Sequence, residues 1–425
     1  MQSIYNSIIR ILANNQDYDY LNPPNIKIES QSIGTGFFIS PTLIITCCHV
    51  VENGNTLFFT MPLLSNKKYK LEIIALAPDL DLALVNSIEY TSEDYLQLVN
   101  SDLVQLQDSI IVVGYPLGQD KIKATRGIIS GIQFGNIQTD SAINSGNSGG
   151  PLLDSKNNVI GIVSSKVSNA AGVGYAIPTK LLNIFDTVDK SKKIYYSCDF
   201  LANFSNTSEH RINMINKNLK DKTIISGYTI SFISKYSPLN TIKVEPGDLI
   251  IEFNDILLNN FGELNLKLAA KYELTDYIER LNTDKNYNIK FYSFSQNKII
   301  DTQLKFKNEN LMGIKKLIPI LDKLDYININ GLILSQLTIN LIRKYTKIKK
   351  NLNYVDYFTP KLIVANILPD SDFILNENIK QGDIITKINN INVFTINDVK
   401  ELLKQNNDYL TFETKKYKLD TIKMI

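Results

Sequence analysis

The sequence predicts a mostly β protein, with one β-rich unit of about 190 residues followed by two related α+β modules. Short runs of β-branched and aromatic residues, broken by Gly, Pro, Asn and Asp, fill Gly34 to about Phe185. Many short strands with turn signals between them indicate a barrel or a sandwich. A Gly-Asp motif then appears twice, at Gly247 and at Gly382, 135 residues apart. A period that long means two small domains, since solenoid repeats are far shorter.

In the β-rich unit the strand candidates are Gly36–Ile39, Leu43–Thr46, Leu82–Val85, Ile110–Val113 and Val159–Val163. Phe134-Gly135-Asn136-Ile137 reads as a tight hairpin. Pro178–Phe185 reads as a helix with Pro in its first turn, and the charged run Asp189–Lys193 as a linker. In each module an apolar strand, Tyr228–Ile233 or Lys361–Ile367, precedes the Gly-Asp turn, which feeds a second strand and an Asn-rich turn. After the second copy, Thr395 caps an amphipathic helix running to Leu403. The resulting domains are 1–192, 196–307 and 308–425.

Composition removes several function classes. With 44% hydrophobic and 21% charged residues the chain is an ordinary globular mix, so general disorder is excluded. Lys+Arg total 45 and Asp+Glu 43, a net charge of +2, and the basic cluster at Lys347 to Lys350 reads as a solvated helix face. A charge-driven nucleic-acid binder needs a stronger bias. The 3 cysteines, two of them the neighbours Cys47 and Cys48, do not make a disulfide scaffold. No apolar run reaches the ~18 residues of a membrane span, and the N-terminus lacks a signal-peptide pattern. The expectation is a soluble intracellular protein of cytoplasm or nucleus.

Chemistry concentrates in Asn144-Ser145-Gly146-Asn147-Ser148-Gly149-Gly150-Pro151. A nucleophilic serine needs a tight turn, a general base, a carboxylate to orient that base, and N–H groups for the developing oxyanion. The glycines permit a turn in which the N–H groups of Gly146 and Ser148 share one small space. Of the 2 histidines, His49 ends a strand and His210 lies in a polar, solvated segment. Asp81 stands where an apolar strand begins and can hold an imidazole tautomer. Cys47-Cys48-His49 also admits a metal-fragment reading, but Zn²⁺ normally takes four ligands with loop spacing between pairs.

Thr46-Cys47-Cys48-His49-Val50-Val51, Asp81-Leu82-Ala83 and Gly146–Pro151 resemble the active-site motifs of the Deg/HtrA serine proteases, in the order His, Asp, Ser. Gly34–Phe37, Gly114–Gly118, Thr125–Ser130 and Gly174–Pro178 match other segments of that protease domain. The resemblance implies a chymotrypsin-like double β-barrel, a triad of His49, Asp81 and Ser148, and an oxyanion hole around Gly146, Asn147 and Ser148. It places the specificity pocket at Ala142 and Ile143 with Val163 and Ser164, small and apolar, suited to Val, Ala, Ile or Leu.

The two modules resemble PDZ domains, as in plant-type Deg proteases with two such domains. In them an extended peptide adds to a sheet edge beside a carboxylate-holding loop. Ser226-Gly227-Tyr228-Thr229 is the candidate loop in the first copy and Asn330-Gly331-Leu332-Ile333 in the second. Cys47-Cys48 stands where the family usually has Asn-Ala. The segment between Ser130 and Thr139 is shorter than the regulatory loop of many relatives, which questions a loop-mediated sensing of the first module. The resemblance further implies protein or peptide substrates, no cofactor or metal, and a homotrimer or hexamer built through residues 1–30 with Tyr5, Tyr18 and Tyr20. Two other readings are a processing protease with one target and a catalytically silent scaffold.

Overall fold

The computed structural model describes residues 2–25, 28–164, 173–186, 188–189, 191–219, 223–264, 272–283, 285–307, 309, 312–345, 348, 352–371, 373–374, 378–404, 409–415 and 420–423. The basic cluster Lys347 to Lys350 lies outside these apart from residue 348. Chain contacts separate two compact units, Met1–Asn14 with Gln31–Glu309, and Asn15–Ser30 with Asn310–Ile425.

The first unit opens with two closed six-stranded barrels. One takes β1 (Ile8–Asp17), β2 (Ile28–Phe38), β3 (Leu43–Cys47), β4 (Gly54–Met61), β5 (Ser65–Ala77) and β6 (Leu82–Ser87), in the order β1-β2-β3-β6-β5-β4. The other takes β7 (Ser109–Gly114), β8 (Lys123–Gln133), β9 (Asn136–Thr139), β10 (Pro151–Leu153), β11 (Val159–Ser164) and β12 (Gly174–Pro178), in the order β10-β11-β12-β9-β8-β7. Closure leaves no unpaired strand edge. β6 and β11 are continuous apolar runs because they are buried along nearly their whole length. The expected hairpin is present: Gln133 pairs with Asn136 across Phe134 and Gly135, both at positive φ. Pro178 ends β12 instead of entering a helix, and Thr179–Phe185 is 3-10 helical.

An antiparallel sheet follows in the same unit, led by β13 (Ala202–Ser205), β14 (Tyr228–Ile233) and β15 (Leu249–Phe253), then Asn286–Ser293 and Lys298–Lys305. Arg280 ties this sheet's domain to the second barrel. One Nη donates to Asp102 Oδ1 and the other to the Gly135 carbonyl, both at 2.9 Å. The guanidinium lies 4.2 Å from the Tyr272 ring centroid, and Asn183 Nδ2 donates to the Arg280 carbonyl at 2.6 Å. The short hairpin therefore still touches the first module at Gly135, against the inference drawn from its length.

Beside this clasp, burial pushes the Glu279 carboxyl up to about 8, with repulsion from Asp276, Asp79 and Asp199 adding to it and Arg280 opposing. The unfolded chain ionises Glu279 near 4.5, so the folded state is favoured below that range and loses the advantage as pH rises through about 8. Glu279→Gln is expected to match the unsubstituted protein in melting temperature at acid pH. It should exceed it by a margin that widens from about pH 5 to pH 8 and then levels off. A margin that stays flat across pH 4 to 9 in thermal unfolding would refute this.

The second unit repeats the module. Its sheet runs Tyr326–Ile329, Leu332–Gln336, Leu362–Ile367, Ile384–Ile388, Tyr409–Thr414 and Asp420–Lys423. The repeated Gly-Asp turns have one geometry: Gly247 and Gly382 sit at φ +101° and +93°, and donate to Ile230 O and Val364 O at 2.7 and 2.8 Å. Asp248 and Asp383 each accept from the backbone N–H three residues upstream. Thr395 caps its helix as expected, in a reciprocal capping box with Asp398. Tyr20 is buried in this unit with Ile314, Leu324 and Leu341, and Tyr18 Oη donates to Asp322 O. Both tyrosines thus make contacts within this unit.

Candidate active site

β3 ends at Cys47 and turns into the one-turn helix Cys48–Val51, which carries His49. β3 pairs antiparallel with β6 so that Cys47 faces Leu82. This register brings Asp81, the residue before β6, beside His49. Asp81 adopts a left-handed φ of +58° and its carbonyl accepts from Cys48 N–H at 3.0 Å.

The Asp81 carboxylate, 6% exposed, is hydrogen-bonded on both oxygens. Oδ1 accepts from His49 N–H at 3.1 Å, and His49 Nδ1 lies 2.9 and 2.8 Å from Oδ1 and Oδ2. Ser164 Oγ donates to Oδ2 at 3.0 Å. A carboxylate at Nδ1 holds the proton there and leaves Nε2 as the basic nitrogen. The imidazole side chain is 29% exposed, so its outer nitrogen is reachable from the surface.

The second barrel supplies the serine loop. Gly149 N–H donates to Val163 O, and Val163 N–H to Gly150 O, both at 2.8 Å. The two alternate carbonyls that precede the Gly146 and Ser148 amides are turned aside: Ser145 O accepts from Leu117 N–H at 2.5 Å, and Asn147 O from Gly150 N–H at 2.9 Å. In a trans peptide the N–H points opposite to its C=O. The Gly146 and Ser148 N–H groups are therefore directed away from the scaffold that holds the carbonyls. Gly146 has φ +97°, and a Cβ there would stand 2.3 Å from Tyr115 O, so only glycine fits.

Thr35, which sequence reasoning left inside a matching segment, joins the two halves. Its N–H donates to Ser148 O at 2.9 Å and its Oγ1 to Gly146 O at 2.7 Å. Thr46 Oγ1 donates to Thr35 O at 2.7 Å, and a Cβ on Gly149 would stand 2.1 Å from that same carbonyl. The loop thus lies on β2 and β3, close to the turn that bears His49. The sequence signal was present in Gly34-Thr35-Gly36: a Cβ on Gly34 would stand 2.6 Å from Val50, and one on Gly36 2.8 Å from Ile11.

Other expectations are corrected. Val163 is buried in the barrel core and acts through its backbone, while Ser164 braces Asp81, so neither side chain is given over to a pocket wall. Ala142 is exposed and Ile143 partly buried, with Gly174 of β12 leaving room for Ile143. In the first module, β14 is paired on both sides, to β13 and β15. Ser226 Oγ donates to Leu258 O, Gly227 N–H to Asn260 Oδ1, and Tyr228 stacks on Phe204. Thr229 Oγ1 bonds Thr207 Oγ1 at 2.8 Å. Ser226–Thr229 therefore does not front an open edge; β13 does. Asn330 and Gly331 form the positive-φ turn of a hairpin, with Leu332 and Ile333 paired on both sides in its second strand. His210 is exposed on its helix, as expected.

Two closed barrels bearing a His–Asp pair on one and a glycine-bounded serine on the other define the trypsin-like peptidase class, and the family model for a trypsin-like peptidase domain matches residues 34–162. The chain is 30% identical over 291 residues to putative protease Do-like 13 of Arabidopsis thaliana, covering 65% of this chain and 58% of the relative. It is 26% identical over 419 residues to a probable periplasmic serine endoprotease, DegP-like, of Rickettsia conorii, covering 90% of this chain and 76% of the relative. The HtrA-type protease AlgW with a tripeptide shares the fold, with TM-score 0.54, 19% identity, and coverage of 72% of this chain and 94% of that one. The chain is thus similar in sequence to proteases of the Do-like and DegP-like kind. It spans little more than half the length of the Arabidopsis relative. The periplasmic designation of the Rickettsia relative lends no support to a cytoplasmic or nuclear location. Among the described residues no helix is long and apolar enough to cross a membrane.

Proposed function

We propose that the chain is an ATP-independent serine endopeptidase acting on unfolded or damaged proteins, cleaving after small apolar residues. The observation that carries this reading is the His49 Nδ1–Asp81 contact at 2.8 Å, made beside a serine loop whose carbonyls are tied back by Leu117, Thr35 and Gly150. In the proposed reaction His49 Nε2 takes the Ser148 proton as Oγ attacks the scissile carbonyl, and Asp81 stabilises the imidazolium. The N–H groups of Gly146 and Ser148 receive the oxyanion. His49 returns the proton to the leaving amine, and water then hydrolyses the acyl-enzyme with His49 again as base. The chemistry draws on side chains and backbone amides alone.

Specificity in this reading comes from Ala142, which brings no carboxylate to a P1 Lys or Arg. Rapid cleavage after Arg in a peptide library would overturn that part. Extended peptides would add to the edge strand β13, and the working assembly would be a homotrimer or hexamer. The deciding experiment is casein digestion without added ATP or metal, with fluorophosphonate labelling in parallel. Digestion and labelling are both expected to vanish in Ser148→Ala. Labelling that persists in that variant, or its absence from the unsubstituted protein, would refute the triad.

A further inference from the structure

Among the described residues, Cys47 Sγ, a His49 ring nitrogen and an Asp81 carboxylate oxygen all lie within 4.8 Å of one another. We propose that these three side chains form an inhibitory site for a thiophilic divalent cation, Zn²⁺ above all. The proposal concerns regulation of the site assigned above and rests on that reading for its inhibitory consequence, though not for binding.

Thiolate, imidazole and carboxylate are the three donor types that Zn²⁺ accepts, at about 2.3, 2.0 and 2.1 Å respectively. Tetrahedral placement puts such donors roughly 3.5 Å apart, so a pair within 4.8 Å must close by at most about 1.3 Å. His49 Nδ1 and Asp81 are already nearer than that, at 2.8 Å. Cys47 is the donor that makes the cluster more than a catalytic pair. Its buried thiol donates to Val163 O at 3.3 Å, whereas the neighbouring Cys48 thiol points to Glu52 Oε2 at 3.1 Å.

Binding would release the Cys47 proton to solvent, because the thiolate is the ligand. If the metal takes Nδ1, it also displaces the proton that Asp81 orients. If it takes Nε2, it occupies the lone pair that must accept the Ser148 proton. Either way the general base is lost, and removing the cation restores it. Proton release makes the affinity fall as the solution is acidified.

The test uses the full chain carrying Ser148→Ala, so that no proteolysis complicates the reading, with Co²⁺ as the spectroscopic probe. A thiolate-to-cobalt charge-transfer band is expected on titration and should be bleached by competing Zn²⁺. It should persist in Cys48→Ala and be lost in both Cys47→Ser and Cys47→Ala. The serine variant keeps the volume of the buried side chain, and circular dichroism confirms folding of each protein. On the Ser148 protein, Zn²⁺ should block fluorophosphonate labelling reversibly with a chelator. The Zn²⁺ needed, scaled to each variant's own zinc-free rate, should rise at least about tenfold in Cys47→Ser. No band, or a band that survives loss of Cys47, overturns the site. A Cys47-dependent band on a protein that never labels would keep the metal site and refute the protease reading instead.

Discussion

Asp81→Asn is expected to lower kcat by about 10⁴-fold while leaving KM and the fold nearly unchanged. The fold should survive because Asn tolerates the left-handed φ of +58° at this position. The chemistry should not, for a reason visible in the hydrogen bonds. His49 N–H is a backbone donor 3.1 Å from Oδ1, so the side-chain oxygen of Asn must face it. The amide nitrogen then falls at the Oδ2 position, 2.8 Å from His49 Nδ1. Two donors cannot share that contact. Nδ1 must give up its proton and accept, the proton moves to Nε2, and Nε2 can no longer act as base toward Ser148. Steady-state kinetics on a chromogenic peptide, with thermal unfolding of the same protein, would check both halves. A loss of activity below about tenfold would mean that Asp81 does not set the tautomer.

The elements read correctly from the sequence are those fixed by local chemistry. Thr395 stands three residues before Asp398 and forms a capping box. The 135-residue repeat was legible because each copy needs a glycine at positive φ, Gly247 and Gly382. The His49–Asp81 contact was legible because a rare histidine at a strand end and a strand-leading carboxylate are unusual in combination. What failed was non-local. Ser226-Gly227 precedes a strongly apolar strand, but strand pairing decides which strand ends a sheet. The short β13 that covers it, Ala202-Asn203-Phe204-Ser205, carries little hydrophobic pattern of its own. Ser164 follows an apolar run, and only the meeting of the two barrels turns its hydroxyl onto Asp81. Thr35 is likewise informative only once Ser148 lies across from it.

Arg280→Ala is expected to cost about 3 kcal/mol of stability in the unit that contains both barrels and the first module. The Arg280 and Asp102 side chains are only 5% and 19% exposed, so removing the cation leaves a poorly solvated carboxylate without its partner. Gly135 O loses its Arg280 donor at the same time, and Tyr272 loses the guanidinium over its face. Arg280→Lys should recover little, because one ammonium cannot span Asp102 and Gly135 O as the forked guanidinium does. Such a pair, once isolated on one side, costs far more than a surface ion pair of about 0.5 kcal/mol. Urea unfolding of the full chain, followed by tyrosine emission and by circular dichroism, should show the transition shifted to lower denaturant. Gly135 also belongs to the hairpin leading into β9 and on to Ala142 and Ser148, so the same variant should lower kcat on casein. A stability change within about 0.5 kcal/mol, the range of surface substitutions, would show that solvent screens this contact and that the first module is not anchored through Arg280.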